Sequence, residues 1–508
     1  MYAGIIFFKE KKMKKKGLLL AAMILVIVLG ACEKKSTAGG ADTSKRVELV
    51  MWIMGDEPPR LGEVMENLNK ILVQKLNCTL KINYLSWADF GNNKYPLLFS
   101  SGETFDMAYC ATWLNFAALA QRGAFKALDE LWPKYAPKNF ARQSKTALYQ
   151  ATVDGHLFCI PTLQATYSAY GAIYRSDLAL PYGWDGKMET FADIEKYFSI
   201  VKANNPGIEP FDTYNEGSPM DDMWMYYRGY YSLKGSTNDF LFIDPMQPNP
   251  KIFTYYENDS IPEFLDMMDR WNKAGYFPKS VLSDTDADKL RNGKAALRVH
   301  NIDAYEGNYR DNPQQGIRWF NMVKDVSNMS FTQDAMVIAN TAKNPERALM
   351  LWDLITNDEE VYRAFFYGIE GKTYRIVKDN GADCVEQLDP TGFSFSNCWA
   401  ARTNEFSLPT VGAPPDLKGY KALYDAYIKD GVGSQKFRSF VIDTSSIETE
   451  YVTCQNVQSQ YWFPLELALV DVKAGLKEYE EKMKAAGIDK VRQVLQGQLD
   501  AYLKEISQ

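Results

Sequence analysis

Histidine is nearly absent from this chain, and its scarcity excludes several kinds of chemistry. His156 and His300 are the only two histidines in 508 residues. Most protein zinc sites, and the hydrolases that pair serine or cysteine with histidine, need this side chain as ligand or base. We therefore expect no metal site and none of these hydrolases, and no motif for a cofactor is present. A glycosidase that uses two carboxylates remains possible, because it needs no histidine.

Cysteine is also scarce, and the seven cysteines follow no metal or redox pattern. No two of them have the Cys-x-x-Cys spacing of zinc sites or of thioredoxin-like dithiols. Cys110 and Cys159 lie in apolar runs typical of strands, so we expect buried thiols there. Positive charge is lacking as well. A net charge of -7 provides no electrostatic surface for nucleic acid, so we expect no nucleic acid partner.

The apolar run over residues 17–31 is too short for a membrane-spanning helix, which needs about 20 apolar residues. The run follows a basic cluster at residues 13–16 (MKKK) and ends in residues 29–32 (LGAC). This arrangement predicts a bacterial export signal over residues 1–31. Residues 29–32 resemble the lipobox of bacterial lipoproteins, which implies cleavage before Cys32 and lipid attached to that cysteine.

A lipid on Cys32 would hold the mature chain at the extracytoplasmic face of the cell membrane. Residues 33–46 are small, polar and charged, which predicts a flexible tether. Residues 1–12 place apolar side chains before the basic cluster, and this predicts Met13 as the true start. An export signal with a chance cysteine at position 32 is the alternative.

Hydrophobic patterning predicts that the folded part starts with a strand, a helix and a second strand. Residues 47–54 form an almost continuous apolar run, as in a buried strand. Apolar residues recur at three- and four-residue steps through residues 61–76, and they alternate with polar ones through residues 80–84. Residues 105–110 predict a third strand. This order indicates an α/β fold with a parallel sheet, in which ligands bind beyond the carboxyl ends of the strands.

Six segments, in the order of the family, resemble the extracellular solute-binding proteins of ABC importers. Departures from the family pattern are Cys159, where glycine is common, and His156, where lysine is common. The tail over residues 437–503 resembles a C-terminal domain of unknown function in large binding lipoproteins, often grouped with oligosaccharide or aldouronate importers. The six segments are residues 101–106 (SGETFD), 123–129 (GAFKALD), 154–161 (DGHLFCIP), 174–178 (YRSDL), 292–297 (NGKAAL) and 342–348 (AKNPERA).

The resemblance implies a periplasmic-binding-protein-like fold of type II, with two α/β lobes around a hinge and a ligand cleft, and with C-terminal helices. We expect residues 47–160 and about 332–395 in lobe 1, and about 161–331 and 396–508 in lobe 2. The length of the chain agrees with more than one core. The resemblance also implies a monomer that delivers its ligand to the permease subunits of an ABC transporter.

Periodicity in the tail predicts two packed helices. Pro464 suits the first turn of the first helix, and residues 485–487 (AAG) end it. Asp489 can cap the second helix. The apolar face of the first helix comprises Leu465, Leu469, Val472, Leu476, Tyr479 and Met483.

Aromatic residues are abundant at 14%, with 11 Trp and 31 Tyr, in excess of what a core needs. Sugars present apolar C–H faces and a rim of hydroxyls, so flat rings and paired polar groups bind them. Residues 221–231 hold the densest such mixture, although rings on one helix face can equally be core. The ligand-binding residues that we expect are Trp52, Trp113, Tyr167, Tyr170, Trp224, Tyr227, Arg228, His300, Asn301, Glu370 and Trp399.

We expect a binding protein for a carbohydrate, in particular an oligosaccharide, and no catalysis. A peptide-binding importer subunit and a structural lipoprotein with a vestigial cleft are the alternatives. A membrane-anchored glycoside hydrolase is a further one, with catalytic carboxylates drawn from Asp106, Asp222 and Glu370. Residues 283–288 are rich in aspartate but lack the glycine and glutamate of a calcium loop, which predicts a solvated turn and helix cap.

Overall fold

Two mixed β-sheets with flanking helices form the folded part of the protein. A computed structural model describes residues 42–86, 94–164, 170–214, 218–233, 239–286, 288–321, 329–379, 381–417, 420, 436–437 and 440–506. The predicted export signal, Met13, Cys32 and Tyr167 lie outside the described residues. Within those ranges, no helix has the length and apolar character that crossing a membrane requires.

Strands and helices alternate over much of the chain. The strands are β1 (Val47–Met54), β2 (Cys78–Leu85), β3 (Met107–Cys110), β4 (Thr152–Val153), β5 (His156–Leu157), β6 (Ile160–Pro161), β7 (Tyr170–Arg175), β8 (Glu209–Phe211), β9 (Tyr231–Ser232), β10 (Phe242–Ile243), β11 (Ala295–Asn301), β12 (Ile317–Asn321), β13 (Ala335–Ile338), β14 (Tyr374–Asp379) and β15 (Ala382–Gln387). The helices are α1 (Leu61–Leu76), α2 (Lys94–Ser100), α3 (Phe116–Gln121), α4 (Leu131–Tyr135), α5 (Pro137–Ala141), α6 (Lys145–Gln150), α7 (Phe191–Asn204), α8 (Met220–Tyr227), α9 (Ile261–Ala274), α10 (Ile302–Asp311), α11 (Pro345–Asn357), α12 (Glu359–Phe366), α13 (Glu448–Val457), α14 (Phe463–Glu466), α15 (Val472–Ala485) and α16 (Ile488–Ile506).

The first sheet confirms the predicted strand, helix and strand at the start of the fold. Its strand order is β2-β1-β3-β13-β6. β1 is parallel to β2 and β3, whereas β13 is antiparallel to β3 and β6. The third strand begins at Met107, two residues later than the patterning predicts. Cys110 and Cys159 are buried free thiols, as expected.

The second sheet has the strand order β12-β7-β11-β8. Asn301 at the end of β11 pairs with Tyr170 at the start of β7. Gly171 pairs with Asn321 at the end of β12. A Cβ atom at Gly171 would overlap the carbonyl oxygen of Phe320, so only glycine fits at this position. The start of β7 is therefore packed closely against the end of β12.

Each sheet has its own hydrophobic core. The first core contains Met51, Leu72 and Trp352, and the second contains Trp271 and many residues of the C-terminal helices. Sheets with helices packed against them confirm the α/β fold class and the C-terminal helices. The predicted lobe boundaries stay a prediction.

The tail differs from the predicted pair of helices at the start of the first one. A short helix, α14, ends at Glu466, and α15 begins only at Val472. Leu465 and Leu469 therefore do not belong to one continuous helical face. The cause is a tertiary contact: Asn272 Nδ2 donates to the carbonyl oxygens of residues 467 and 468 at 2.9 and 3.0 Å. Ala468 adopts a left-handed φ of 48°, which ends the helix.

The caps of the two long C-terminal helices also differ from the prediction. The side chain of Asp471 accepts a hydrogen bond from Ala474 N and so caps α15. The last helix, α16, begins at Ile488, so Asp489 lies within its first turn and is not the capping residue. A carboxylate in the first turn still interacts favourably with the helix dipole.

The seam between α8 and α14 contains two fully buried carboxyl groups. Asp221 Oδ2 accepts from Trp462 Nε1 at 2.7 Å and from the Tyr255 hydroxyl at 2.9 Å. Glu466 Oε1 accepts from the backbone N and the hydroxyl of Ser218 at 3.2 and 2.9 Å. Burial raises the pKa of Glu466 well above its usual value, and the neighbouring Asp221 raises it further.

Replacing Glu466 with glutamine is expected to stabilise the protein at alkaline pH. Because the folded-state pKa is raised, the folded protein keeps a proton that the unfolded chain releases above its ordinary pKa of 4.5. The free energy of unfolding of the wild type therefore falls as the pH rises from there. Glutamine needs no such proton, and removing this cost is expected to contribute about 1–3 kcal/mol to Glu466→Gln at pH 8 and little at pH 4.

Urea denaturation of both proteins at pH 4 and pH 8 measures this difference. Glu481→Gln is the control, because Glu481 is an exposed glutamate on α15. If Glu466→Gln loses as much stability as the wild type between the two pH values, the seam does not hold this proton.

Candidate ligand-binding site

Three chain segments pass between the two sheets, and they meet at Thr162, Asp334 and Arg402, which we call the hinge. The first segment joins β6 to β7, the second joins β12 to β13, and the third leaves the first core after Ala401. The backbone N of Thr162 donates to Asp334 O at 2.9 Å. The Thr162 hydroxyl donates to Arg402 O at 3.3 Å. These bonds tie the segments together where a rotation between lobes would be centred.

Three rings, Tyr109, Trp113 and Trp399, lie beside the hinge on the side of the first sheet. The Tyr109 hydroxyl donates to Asp334 Oδ1 at 2.5 Å, and Trp113 Nε1 donates to Gln333 O at 3.1 Å. The Trp399 ring packs edge-on against Tyr109, with 6.0 Å between the ring centroids. Both tryptophans are half-buried. They therefore combine a fixed orientation with some exposed ring surface, which is what stacking on a ligand requires.

The loop that carries Trp399 crosses the carboxyl ends of the parallel strands. Asn397 lies so close to Gly55, just after β1, that a Cβ atom at Gly55 would overlap the Asn397 amide. Gly55 has a φ of 109°, which favours glycine in any case. Trp399 and Trp113 therefore lie at the edge of an α/β sheet where ligands bind.

His300 and Asn301 lie at the end of β11, on the edge of the second sheet from which two of the crossing segments leave. Asn301 Oδ1 accepts from Ala304 N and caps α10. The backbone N of Asn301 donates to His300 Nδ1 at 2.9 Å, so the ring proton lies on Nε2. Burial, with a further contribution from Arg298, lowers the pKa of His300 to about 3. His300 is therefore a neutral hydrogen-bond donor at ordinary pH.

An ion pair connects the two sides of the site. Arg402 Nη1 lies 3.3 Å from Oδ2 of Asp303, which is in the first turn of α10. The guanidinium carbon is 5.9 Å from the centre of the Trp399 ring. Burial alone would lower the pKa of Arg402, but the carboxylates of Asp303 and Asp334 outweigh it and raise the pKa. Arg402 thus holds a positive charge between the hinge and the opposite sheet.

Five of the predicted ligand-binding residues belong to this one region. Asp303 is close enough to His300 to affect its pKa, so the Arg402–Asp303 pair links the tryptophans to the end of β11. The structure therefore groups residues that are far apart in sequence on the facing edges of the two sheets. They are Trp113, Tyr170, His300, Asn301 and Trp399.

The aromatic cluster on α8 lies elsewhere. Trp224 is only 3% exposed, and its ring packs against Phe191 and Phe264 in the second core. Arg228 covers it, with the guanidinium carbon 4.2 Å from the ring centre, and Tyr227 packs edge-on against Phe191. The burial of Trp224 corrects the expectation that it lines a cleft, whereas the predicted roles of Tyr227 and of the exposed Arg228 stay predictions. In the described fold the cluster stabilises the core, because helical spacing turns its rings to one buried face.

Trp52 and Glu370 are also separate from the facing edges. Trp52 lies within β1, opposite Ala108 of β3, and its indole N–H is buried without a hydrogen-bond partner. Glu370 lines a pocket of about 440 Å³ beside α1 and α12, together with Tyr374 and Arg363. None of the described contacts of Glu370 joins it to the hinge. The structure gives its predicted role in ligand binding no support.

The patterning did not reveal Thr162, Asp303, Asp334 or Arg402. Each pairs with a residue far away in sequence, and a single sequence contains no signal for such a pair. Thr162 could be found in part, because it directly follows residues 154–161. That segment ends in a proline, and the first chain segment between the two sheets begins after it. A polar residue that follows such a strand is a candidate for the hinge.

The fold is that of the solute-binding proteins of ABC importers, and the resemblance predicted from the six segments is confirmed. The similarity to one such protein extends over almost the whole chain. A protein of Streptococcus pneumoniae named carbohydrate ABC transporter substrate-binding protein is 25% identical over 478 residues, which cover 91% of this chain and 92% of the relative.

Solved structures give the same fold. The N-glycan transport solute-binding protein NgtS of Streptococcus pneumoniae, in complex with Man1GlcNAc, has a TM-score of 0.73 at 22% identity and covers 90% of this chain and 100% of its own. The alginate-binding protein AlgQ2, without calcium ion, has a TM-score of 0.63 at 17% identity, with coverage of 92% and 100%. The family model described as a domain of unknown function, DUF3502, matches residues 436–504. This match confirms the predicted nature of the tail.

Proposed function

We propose that this protein is a lipid-anchored, extracytoplasmic solute-binding protein that captures an oligosaccharide and delivers it to an ABC transporter permease. Two half-buried tryptophans lie on the edge of one sheet and a neutral histidine donor lies on the edge of the other, and the Arg402–Asp303 pair links the two edges. This arrangement carries the proposal, because rings suit the C–H faces of sugars and neutral donors suit their hydroxyls. The name of the Streptococcus pneumoniae relative supports the same class of ligand.

In this proposal the ligand lies between the two sheet edges, and its binding closes the lobes about the hinge. The rings of Trp113 and Trp399 stack on it, and His300 Nε2 donates to one of its hydroxyls. Tyr170 and Asn301 border the same space. Closure follows from contacts with both edges, because these contacts exist together only when the lobes approach each other.

No catalytic step is part of the proposal. The carboxylates considered for a glycosidase lie in three separate places in the fold. Asp106 accepts hydrogen bonds from the backbone N of Val50 and of Asn344, Asp222 is buried on α8, and Glu370 lines the pocket beside α12. A glycosidase needs two carboxylates on opposite sides of one bond, so this separation supports binding without hydrolysis.

The cellular part of the proposal rests on the sequence. Lipid on Cys32 would keep the protein at the membrane, and residues 33–46 would give it the freedom to reach a permease. A receptor of this kind works as a monomer, because each lobe presents its own surface to the transporter. The ranges proposed for the lobes are residues 47–160 with about 332–395, and about 161–331 with 396–508.

Thermal unfolding in the presence of a ligand panel tests the proposed ligand class. The mature chain is expected to gain thermal stability with at least one neutral oligosaccharide, in a way that grows with ligand concentration, and with no peptide. The panel contains manno-, gluco-, galacto- and N-acetylglucosamine oligomers of two to five units, and a mixture of random tri- to pentapeptides. Stabilisation by peptides and by no sugar would show that the importer carries peptides. Release of monosaccharides during the incubation would show hydrolysis.

A further inference from the structure

The charges around the facing sheet edges are balanced inside the protein. Arg402 lies over the Trp399 ring and forms an ion pair with Asp303 across the site. The nearby carboxylate of Asp334 also raises the pKa of Arg402. Arg298 on β11 lies near His300, but its Nη1 is 3.2 Å from Asp288 Oδ1. Both guanidinium groups therefore already have carboxylate partners.

His300 adds no positive charge to this balance. Its Nδ1 accepts from its own neighbour, Asn301 N, and its low pKa keeps the ring neutral at any pH at which the protein works. The remaining Nε2–H can donate to a hydroxyl or a carbonyl oxygen. It has no net charge with which to attract a carboxylate.

An acidic sugar would therefore meet carboxylates, and the guanidinium groups of Arg402 and Arg298 are already paired. Its carboxylate would lie near Asp303, whose side chain is 48% exposed. To reach Arg402, it would have to displace Asp303 from the ion pair. Like charges in a partly desolvated site repel each other, and this repulsion weakens the binding of the acidic sugar. A neutral sugar meets only rings and donors, and it leaves the Arg402–Asp303 pair intact.

We propose that the site selects uncharged oligosaccharides over acidic ones. Asp303 is the specificity-determining residue, because its ion pair with Arg402 keeps this cation from a ligand carboxylate. This inference rests on the proposed function, since it concerns the same site. Specificity arises as a difference between affinities, and a group that repels the wrong ligand contributes to it as much as one that attracts the right ligand.

Asp303→Asn tests the inference. Asparagine keeps the shape of the side chain and removes its charge, so Arg402 becomes available to a ligand carboxylate. The probes are three matched pairs of trisaccharides, built on glucose, galactose and mannose, each pair consisting of the neutral sugar and its uronate. Dissociation constants are measured by calorimetry.

The wild type is expected to bind the neutral member of at least one pair at least tenfold more tightly than its uronate. Asp303→Asn is expected to reduce this ratio about tenfold through a gain in affinity for the uronate. The gain disappears in the double variant Asp303→Asn with Arg402→Gln. Glu448→Gln is the control, because it frees Arg122 from an exposed pair at 2.7 Å and leaves the site untouched, so the ratio stays that of the wild type.

A wild type that prefers the uronate, or an unchanged ratio in Asp303→Asn, contradicts the inference while leaving carbohydrate binding intact. If no member of any pair binds and the larger panel also gives no stabilisation, the proposed function is wrong and the inference falls with it.

Discussion

Replacement of Lys289 with methionine is expected to destabilise the protein by about 3 kcal/mol, the low end for a broken buried ion pair, because the two carboxylates left behind are only half-buried. Lys289 is only 3% exposed. Its Nζ donates to Glu209 Oε2 at 2.7 Å, to Thr213 O at 2.6 Å and to Asp284 Oδ2 at 2.8 Å. Methionine fills similar space, so the loss comes from the two carboxylates that remain.

Asp284, in the aspartate-rich segment, thus binds the ammonium group of Lys289. The expectation of a solvated turn and helix cap at residues 283–288 is corrected in this respect, because Asp284 is in an ion pair with a buried lysine and none of the described helices begins there. Burial alone would raise the pKa of Asp284, but the hydrogen bond and charge of Lys289, together with the hydrogen bond from the backbone of Asp286, outweigh it and lower the pKa. The pair therefore stabilises the fold at pH values above the ordinary pKa of this carboxyl. The stabilisation is lost as the pH falls from there through the lowered pKa of the folded protein.

Urea denaturation at pH 7 measures this effect. Lys294→Met is the matched control, because Lys294 pairs with Asp286 in the same segment at 2.7 Å but its side chain is 61% exposed. Exposed pairs contribute about 0–1 kcal/mol, so the control is expected to unfold close to the wild type. Equal losses in both variants would show that burial of Lys289 adds nothing to its role.

Removal of both rings beside the hinge is expected to weaken ligand binding by at least about thirtyfold. Trp113→Ala and Trp399→Ala each remove stacking that contributes about 1–3 kcal/mol per ring in comparable aromatic sites. The double variant would then bind between about thirtyfold and about twenty-thousandfold more weakly, at about 2–6 kcal/mol. Both rings pack against Tyr109, so they share a partner, and their effects are expected to couple rather than to add exactly.

Calorimetric titration with the best neutral oligosaccharide measures this loss, and circular dichroism checks that each variant is folded. Tyr182→Ala provides the control, because Tyr182 is an exposed ring that is 50% accessible and has no described contact with the hinge. A folded double variant with wild-type affinity would mean that the sugar binds elsewhere in the molecule.

The start of the fold could be predicted from the sequence because its signals are local. The apolar run of β1 and the three- and four-residue steps of α1 coincide with the observed strand and helix, and β1 and β2 are parallel as expected. In these elements, side-chain periodicity and burial agree, so no distant contact had to be known.

The break in the tail could not be predicted in this way. The apolar steps continue through Leu465 and Leu469 as if one helix were present. Asn272, almost two hundred residues earlier, binds the carbonyl groups of the turn, and Glu466 is drawn into a buried seam. Tertiary contacts of this kind override helical periodicity.

The residues of the proposed site were predictable in type but only partly in place. A sequence rich in tryptophan and tyrosine predicts rings, yet it cannot distinguish Trp399 beside the hinge from Trp224 in the core. Position after a strand was the better guide, since it identified Trp113, His300 and Asn301. The Arg402–Asp303 pair spans 99 residues of sequence, and only the fold brings its partners together.

A crystal structure of the mature chain with the neutral oligosaccharide that stabilises it most is the most direct test of the account. The account predicts sugar rings stacked on Trp113 and Trp399, a hydroxyl within hydrogen-bond distance of His300 Nε2, and an intact pair between Arg402 and Asp303. Sugar bound at the pocket beside Glu370 or near Trp224, with the facing sheet edges empty, would contradict it.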